Sequence, residues 1–573
     1  MPNFFTENSD LLYQFDHLDL KEIVYLTESG YSQSDKFSFA PVNYEDAIQN
    51  YKKILEVIGD ISGNFIAPRA ASVDEIGASF ENGKVTYAKG TKESIDLLSK
   101  AELMGMILPR EYGGLNFPTT IYMMAIEMIS RADASLMNIF GLQDIGKTIA
   151  QFADDNLKTE YLTHFASGKY TGAMALTEPD AGSDLQAVKL TAYQDENGNW
   201  FLRGVKRFIT NGNGDVLLVL ARTEPGTKDA RGLSMFSCYG DDTVKVRRIE
   251  HKLGIHGSPT CELQFNDTPA KLVGQRRFGL LKYVIYLMNR ARVGIGAQSL
   301  GISQAAFEEA LKYAKAREQF DKPIVQLPVI SNMLIEMKIN IEANRSLFYQ
   351  TCLWLDRKEK YEDEADKLKS EKKSLAEINE KIKEASKITA FLTPLTKLLL
   401  SESANKITYD ALQIHGGTGY MKEFSVERLF RDARITNIYE GTSQMQIVAA
   451  SGGAINDIFA DYFNAWDKKE YKGNLSYLLS HIQEIRNIYY DCLKYLKDKK
   501  DKSFHEVAAK DIVEIYGSIY ISYLLLMEAD TDNRKIFTSR RFILDSLAKA
   551  LKNQASIKSE LYTDILHADT ILK

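Results

Sequence analysis

Cysteine is scarce, and its placement excludes two kinds of architecture. The four thiols, Cys238, Cys261, Cys352 and Cys492, include no close pair, so neither a zinc-ligand spacing nor a disulfide framework is indicated, and no metal is expected. A reducing compartment, the cytoplasm, is the expected location. Basic residues are not in excess either: 71 Lys and Arg face 77 Asp and Glu, a net charge of -6. Nucleic acid is therefore not an expected partner, because phosphate binding leaves a basic footprint. The chain opens without a sustained apolar stretch, so no secretory signal is expected. No hydrophobic run reaches the length of a membrane span. The nearest, 512–527, carries Glu514 and Gly517 and is expected to be a core helix rather than a stable membrane insertion. Also missing are a G-x-G-x-x-G after a strand, a P-loop and any internal repeat, so nothing supports a nucleotide held in a doubly wound sheet.

What is present is ordinary globular material, 45% hydrophobic and 26% charged over 573 residues, enough for about three or four domains. Residues 1–40 are aromatic-rich with little periodicity and are expected to form an ordered arm. Across 41–168 apolar residues recur at helical spacing, as at Ile54, Val57, Ile58 and Ile61, broken by Pro109 and the Tyr112-Gly113-Gly114 turn. Within 169–279 the period changes. Runs of β-branched and aromatic residues at 200–209, 216–222, 233–239, 244–249 and 261–265, separated by Asn-Gly, Pro-Gly and Gly-Asp turns, predict a compact β domain. Helical spacing returns over 280–455. Inside it, 356–385 is nearly all charged, with opposite charges three or four residues apart, which predicts a solvated, protruding helical hairpin without chemistry of its own. Residues 456–573 are helical and charge-balanced. The expected class is α+β and multidomain, in the order helices, sheet, helices, further helices.

The stretch 431–446, RDARITNIYEGTSQMQ, places one carboxylate, Glu440, between Tyr439 and a Gly441-Thr442-Ser443 turn. Glycine there lets backbone approach a ligand. The apolar residues Ile435, Ile438, Met445 and Ile447 suggest a site set against a packed wall, as a reactive base requires. Three further stretches take Glu440 out of the ordinary: 174–184 (MALTEPDAGSD), with small residues and the hydroxyls of Thr177 and Ser183; 206–212 (KRFITNG), a strand end before an Asn-Gly turn; and 413–420 (QIHGGTGY), whose glycines suit an anion-binding nest. Taken alone, His415 reads as a structural histidine.

Together, TEPDAGSD, ITNG, REQF, QIHGGTGY and IYEGTSQ closely resemble the acyl-CoA dehydrogenase family, over about residues 40 to 450. The tail beyond about 455 and the charged insertion resemble its longer branch, which includes very-long-chain and methylmercaptopropionyl-CoA dehydrogenases. The resemblance implies a helical N-terminal domain, a middle β-barrel, a four-helix-type C-terminal bundle and an additional helical domain, with FAD as cofactor. It implies that Met174, Leu176 and Thr177 lie along the flavin, that Ser183 is near phosphates or pantetheine, and that Phe208, Ile209 and Thr210 flank the ring. Phe208 replaces the family's common Trp. Arg317, Phe320, Gln413, Gly416 and Gly417 match residues that contact FAD across a subunit interface, so at least a homodimer is implied. Thr442 and Gln444 match further cofactor contacts, and Tyr439, Gly441, Asn289 and Arg292 match substrate contacts. Asn289 stands where many members have Asp, and Pro328 where many have a flavin-binding Gln. Ala291 occupies the position of the base in a few relatives, which leaves Glu440 as the matched base.

The chemistry implied is α,β-dehydrogenation of an acyl-CoA thioester, as in fatty acid β-oxidation. Fixed donors polarise the thioester oxygen, Glu440 takes the α proton, the β carbon delivers hydride to flavin N5, and trans-2-enoyl-CoA results. An electron-transfer flavoprotein is the implied acceptor. Gly141 and Gly146 hint at room for a medium to long acyl chain. Three other readings compete: an acyl-CoA oxidase that passes its electrons to oxygen, a flavin-binding, nucleic-acid-associated relative, and a tail that docks on a membrane surface through 512–527, for which a core helix is the preferred explanation. The second wants a basic C-terminal domain, which the charge balance of 456–573 does not supply.

Overall fold

Two units make up the chain in the computed structural model, which describes residues 2–473, 475–499, 501–559 and 561–573. One comprises Met1–Glu309 and Ala411–Thr436, the other Ala310–Asp410 and Asn437–Lys573.

In the first unit, the N-terminal arm contains two short helices, Ser9–His17 and Lys21–Thr27. Asn8 starts the former by accepting the Leu11 N–H at 3.1 Å, and Leu11 and Phe15, one turn apart, are buried. The helix Tyr44–Asp60 is capped by Asn43 and buries Tyr51, Leu55 and Ile58 completely. Thr119–Ala132 is buried on nearly every side, the pattern of a helix inside the core. A hairpin absent from the sequence reading, β1 (Ser79–Glu81) and β2 (Lys84–Thr86), turns at Asn82-Gly83. Both turn residues have positive φ, 50° and 80°, as a two-residue hairpin loop demands.

The β domain comprises β3 (Gly172–Ala175), β4 (Thr191–Gln194), β5 (Trp200–Thr210), β6 (Val216–Arg222), β7 (Leu233–Tyr239), β8 (Val244–Ile249) and β9 (Thr260–Leu272). The pairs β6–β7, β7–β9, β9–β5, β5–β4 and β4–β6 close a ring, the expected barrel. β8 adds to β9, and β3 lies parallel to β6. Leu202, Ile209, Leu217, Val219, Phe236, Leu263 and Phe265 fill its interior.

The four long helices of the 280–455 region are Ile285–Ala316, Pro328–Ser370, Ala376–His415 and Ser443–Ile455. In the second unit the charged insertion is a helical hairpin turning at 371–375, as expected, but its base is not solvated. Asp356, Glu359 and Tyr361 are at most 6% exposed. The ring of Trp354 meets Tyr462 edge-on at 6.2 Å, and the Tyr462 hydroxyl donates to Glu384 at 2.8 Å, so the C-terminal region packs against the base of the hairpin. There, Leu475–Asp498, Lys502–Thr531 and Ile536–Lys558 pack together around Phe459, Phe463, Tyr516, Tyr520 and Tyr523. Contrary to the expectation that no run reaches the length of a membrane span, Lys502–Thr531 is long and apolar enough to cross one, but 78% of its apolar window is buried in protein.

Candidate active site

In the second unit, Glu440 heads a loop that is closed at its neck. The Ser443 N–H donates to the Asn437 carbonyl at 3.1 Å, and the Glu402 carboxylate accepts from Asn437 Nδ2 at 3.0 Å and from the Ser443 hydroxyl. At the head, Glu440 adopts φ +55° and Gly441 φ +93°. The left-handed region is rare for a residue with a Cβ and costs on the order of 1 to 3 kcal/mol, so surrounding bonds must hold it. They do: the Gly441 carbonyl accepts from Lys397 Nζ at 2.7 Å and from Gln446 Nε2 at 2.9 Å, and Gln446 Nε2 also reaches the Glu440 carbonyl at 3.3 Å. Lys397 and Gln446 are fully buried. Tyr439, Glu440, Gly441 and Thr442 are half-buried, and Gln444 is exposed. Thr442 sits at the start of the helix Ser443–Ile455, where its carbonyl accepts the Gln446 N–H at 3.1 Å.

In the first unit, the structure brings the segment at 174–178 against the end of β5. The Arg207 N–H donates to the Thr177 carbonyl at 2.9 Å. Lys206, fully buried, donates to the Leu176 carbonyl at 2.8 Å and to Glu178 at 2.9 Å. Glu178 also accepts the N–H groups of Lys189 and Leu190 at 2.7 and 2.9 Å. Burial pulls the Lys206 ammonium down to about 8, against the upward pull of Glu178. Between Lys206 and Ile209 the pairing with β9 slips by one residue. This β-bulge turns Phe208 to φ +61° and leaves it 52% exposed, while Ile209 stays in the core; re-aiming a side chain is what a bulge does. Thr210 and Met174 are half-buried and Ser183 is exposed. A Cβ on Gly182 would meet nothing within 4 Å. A half-exposed aromatic face beside a hydroxyl edge and open glycine backbone fits a flat, hydrogen-bonding ring such as the isoalloxazine.

Other predicted residues occupy separate places. Gln413 ends the helix Ala376–His415, and Gly416 and Gly417 follow, exposed, with nothing within 4 Å of an added Cβ at either. His415 is buried, its Nδ1 on the Ala411 carbonyl at 2.8 Å, the structural histidine that was expected. Arg292 donates to Asn289 at 3.2 Å, so the amide found in place of the usual Asp still holds the arginine. In the second unit, Phe320 and Asp321, both at positive φ, form the turn of the small hairpin that follows Arg317, and Phe320 is 82% exposed. Pro328 opens the helix Pro328–Ser370, a position where no N–H is needed. The expected room at Gly141 and Gly146 is not open. A Cβ on Gly146 would meet Leu108 at 3.1 Å, and one on Gly141 would meet the methyl end of Met137 at 3.3 Å.

Family descriptions of the acyl-CoA dehydrogenase N-terminal, middle and C-terminal domains match residues 50–169, 173–268 and 281–451, and a further C-terminal one matches 456–559. The chain is 33% identical over 473 residues to 3-methylmercaptopropionyl-CoA dehydrogenase of Ruegeria pomeroyi, covering 75% of this chain and 77% of that protein. The chain belongs to the acyl-CoA dehydrogenase family. Among solved structures, an acyl-CoA dehydrogenase of Bacillus anthracis complexed with FAD shares the fold at 22% identity and TM-score 0.74, covering 90% of each chain. A chain of an electron-transferring-flavoprotein structure from Acidaminococcus fermentans is 30% identical with TM-score 0.60, covering 70% of this chain and 97% of that one. Acyl-CoA dehydrogenases are FAD-dependent oxidoreductases that act on the CH–CH bond of an acyl-CoA.

This acyl-CoA dehydrogenase anchors the segment preceding Glu440 through a charged cluster in the first unit. Arg431 pairs with Asp74 and Glu427, and the buried Asp432 accepts the N–H of Ile255, itself at φ +49°. His256 donates from Nδ1 to Asp74 at 2.9 Å, and its Nε2 faces the Lys252 carbonyl at 2.9 Å. With an acceptor at each nitrogen the imidazolium is favoured, and the bond to Asp74 raises His256 to about 8. A folded-state value above the unfolded one, ordinarily about 6.5, gives stability that is complete below pH ~6.5 and lost as pH rises through ~8. Burial also shifts Lys252 down to about 8 and Asp432 up to about 6, so the His256 part must be isolated by difference. The gap in urea midpoint between the parent and His256→Gln is expected to be constant below pH ~6.5 and to shrink above it. A gap independent of pH would refute this.

Proposed function

We propose that this chain oxidises medium- to long-chain acyl-CoA thioesters to trans-2-enoyl-CoA, with Glu440 as the base. The observation that carries the reading is the backbone at Glu440: a carboxylate held in a strained left-handed conformation, at the head of a loop clamped on both sides. Strain of this kind persists where geometry at one side chain matters. Glu440 removes the α proton, and its backbone N–H is proposed as a donor to the thioester oxygen, where negative charge develops. Thr177, Phe208 and Thr210 would hold the isoalloxazine, while Ile209, expected beside the ring, turns its side chain into the core and would offer backbone only; Met174 and Leu176 would lie along the ring, and Ser183, Arg317, Phe320, Gln413, Gly416, Gly417, Thr442 and Gln444 would hold the rest of FAD. When bound, FAD supplies the acceptor for the hydride leaving the β carbon. Arg292, oriented by Asn289, is proposed for the CoA portion, with Tyr439 and Gly441 beside the thioester.

Chain length is proposed from one adaptable group. The Met137 methyl lies against Gly141 and within 3.4 Å of a Cβ position on Gly294, and a flexible thioether between two glycines is able to swing aside for a longer chain. A homodimer is also proposed, with Phe320, 82% exposed, and Arg317 reaching the FAD of the neighbouring subunit. An electron-transfer flavoprotein as acceptor, a role in fatty acid β-oxidation and a cytoplasmic setting complete the reading. The test is anaerobic mixing of the FAD-loaded protein with saturated acyl-CoAs of increasing length. Bleaching of the flavin is expected to be fastest for medium to long chains, with reoxidation by an electron-transfer flavoprotein faster than by oxygen. A flavin that no acyl-CoA bleaches would overturn the reading, and rapid peroxide release would replace it with the oxidase.

A further inference from the structure

The loop carrying Glu440 is gripped by residues far from it in sequence, all in the second unit. Lys397 and Glu402 lie on the helix Ala376–His415 and hold opposite parts of the loop. Lys397, fully buried, donates to the Gly441 carbonyl at 2.7 Å, in the Gly441–Thr442 peptide one residue beyond the base. Glu402 accepts from Asn437 at 3.0 Å and from the Ser443 hydroxyl, the two residues that close the neck. Gln446, also fully buried, adds a second donor to Gly441 at 2.9 Å. Holding a backbone carbonyl with a buried ammonium is more than packing requires, since desolvating a cation is unfavourable and an apolar side chain would fill the space. What the arrangement does supply is a fixed direction for the Gly441–Thr442 peptide, next to the Glu440 carbonyl that Gln446 also reaches at 3.3 Å.

We propose that Lys397 and Glu402 are positioning residues: a two-point frame on one helix that holds the Glu440 peptide in its left-handed conformation and so aims the carboxylate. The inference rests on Glu440 being the base. Because displacement of a reacting group by about 1 Å costs on the order of 10²-fold in rate, loosening the frame is expected to slow proton removal without weakening cofactor or substrate binding.

The experiment is anaerobic stopped-flow reduction of the FAD-loaded full-length protein by saturating acyl-CoA, expressed per bound flavin, for Lys397→Met, Glu402→Gln and Glu440→Gln. Lys397→Met is expected to bleach roughly 30-fold more slowly and Glu402→Gln roughly ten-fold more slowly, each with a parental half-saturation concentration. A role confined to stability would lower FAD content and melting temperature but leave the rate per bound flavin unchanged, and that result would overturn the proposal. Should Lys397→Met fail to retain FAD, Glu402→Gln decides alone: a rate within two-fold of the parent's overturns the frame. Glu440→Gln separates the two readings. If it bleaches at the parental rate, the base assignment itself has failed; if it is inactive while both frame variants are fast, only the frame falls.

Discussion

Replacing Glu440 with Gln is expected to lower the rate of flavin reduction by acyl-CoA by about 10²-fold or more, while FAD content and the half-saturating acyl-CoA concentration stay near the parent's. The amide matches the carboxylate in size but cannot take the α proton. It meets the same backbone requirement, because a Gln at φ +55° is no more strained than the Glu it replaces, so the Lys397 and Gln446 bonds to Gly441 are retained. A loss of 10²-fold corresponds to about 2.7 kcal/mol of transition-state stabilisation, large enough to be read in a single anaerobic mixing experiment. Near-parental bleaching would show that some other group accepts the proton.

The second large effect concerns stability. Lys206→Met removes the cation beside Glu178 but leaves that carboxylate 6% exposed, with two backbone N–H donors and no charge partner on that side. Breaking a buried pair from one end costs about 3 kcal/mol or more, and here it also frees the Leu176 carbonyl and loosens the segment carrying Thr177. Urea unfolding of the purified protein is expected to show that loss, together with easier release of FAD. The double variant Lys206→Met/Glu178→Gln is expected to regain much of the stability, since no buried charge remains, but not the tight hold on FAD. A single variant as stable as the parent would refute the first half of this argument; full FAD retention by the double variant would refute the second.

Some of these features were legible before any coordinates. β6, β7 and β8 fall where the sequence predicts strands: VLLVLAR is a short apolar run buried on both faces, and VKVRRI alternates Val with basic residues on a half-buried pleat. The four residues of β3, GAMA, and of β4, TAYQ, contain no such signal: one is small and enclosed by neighbours, the other polar and mostly outward. The insertion reads as a solvated hairpin because charges recur along it, yet Asp356 and Glu359 are buried, and nearby Trp354 packs against Tyr462 of the C-terminal region, contacts that no local pattern announces. The glycines at 141 and 146 suggest space, and the side chains of Met137 and Leu108 occupy it.

The sequence alone settled the family and nominated the proposed base, because both readings rest on contiguous segments, as in Tyr439-Glu440-Gly441-Thr442. Tertiary structure alone decided that Phe208 is thrust outward by a slipped strand pairing, and that Lys397 and Glu402 grip a loop some forty residues further along the chain. The physical reason is range. A turn or a helical stripe depends on neighbours a few residues away, whereas the aim of a side chain depends on hydrogen bonds whose two ends meet only once the chain has folded.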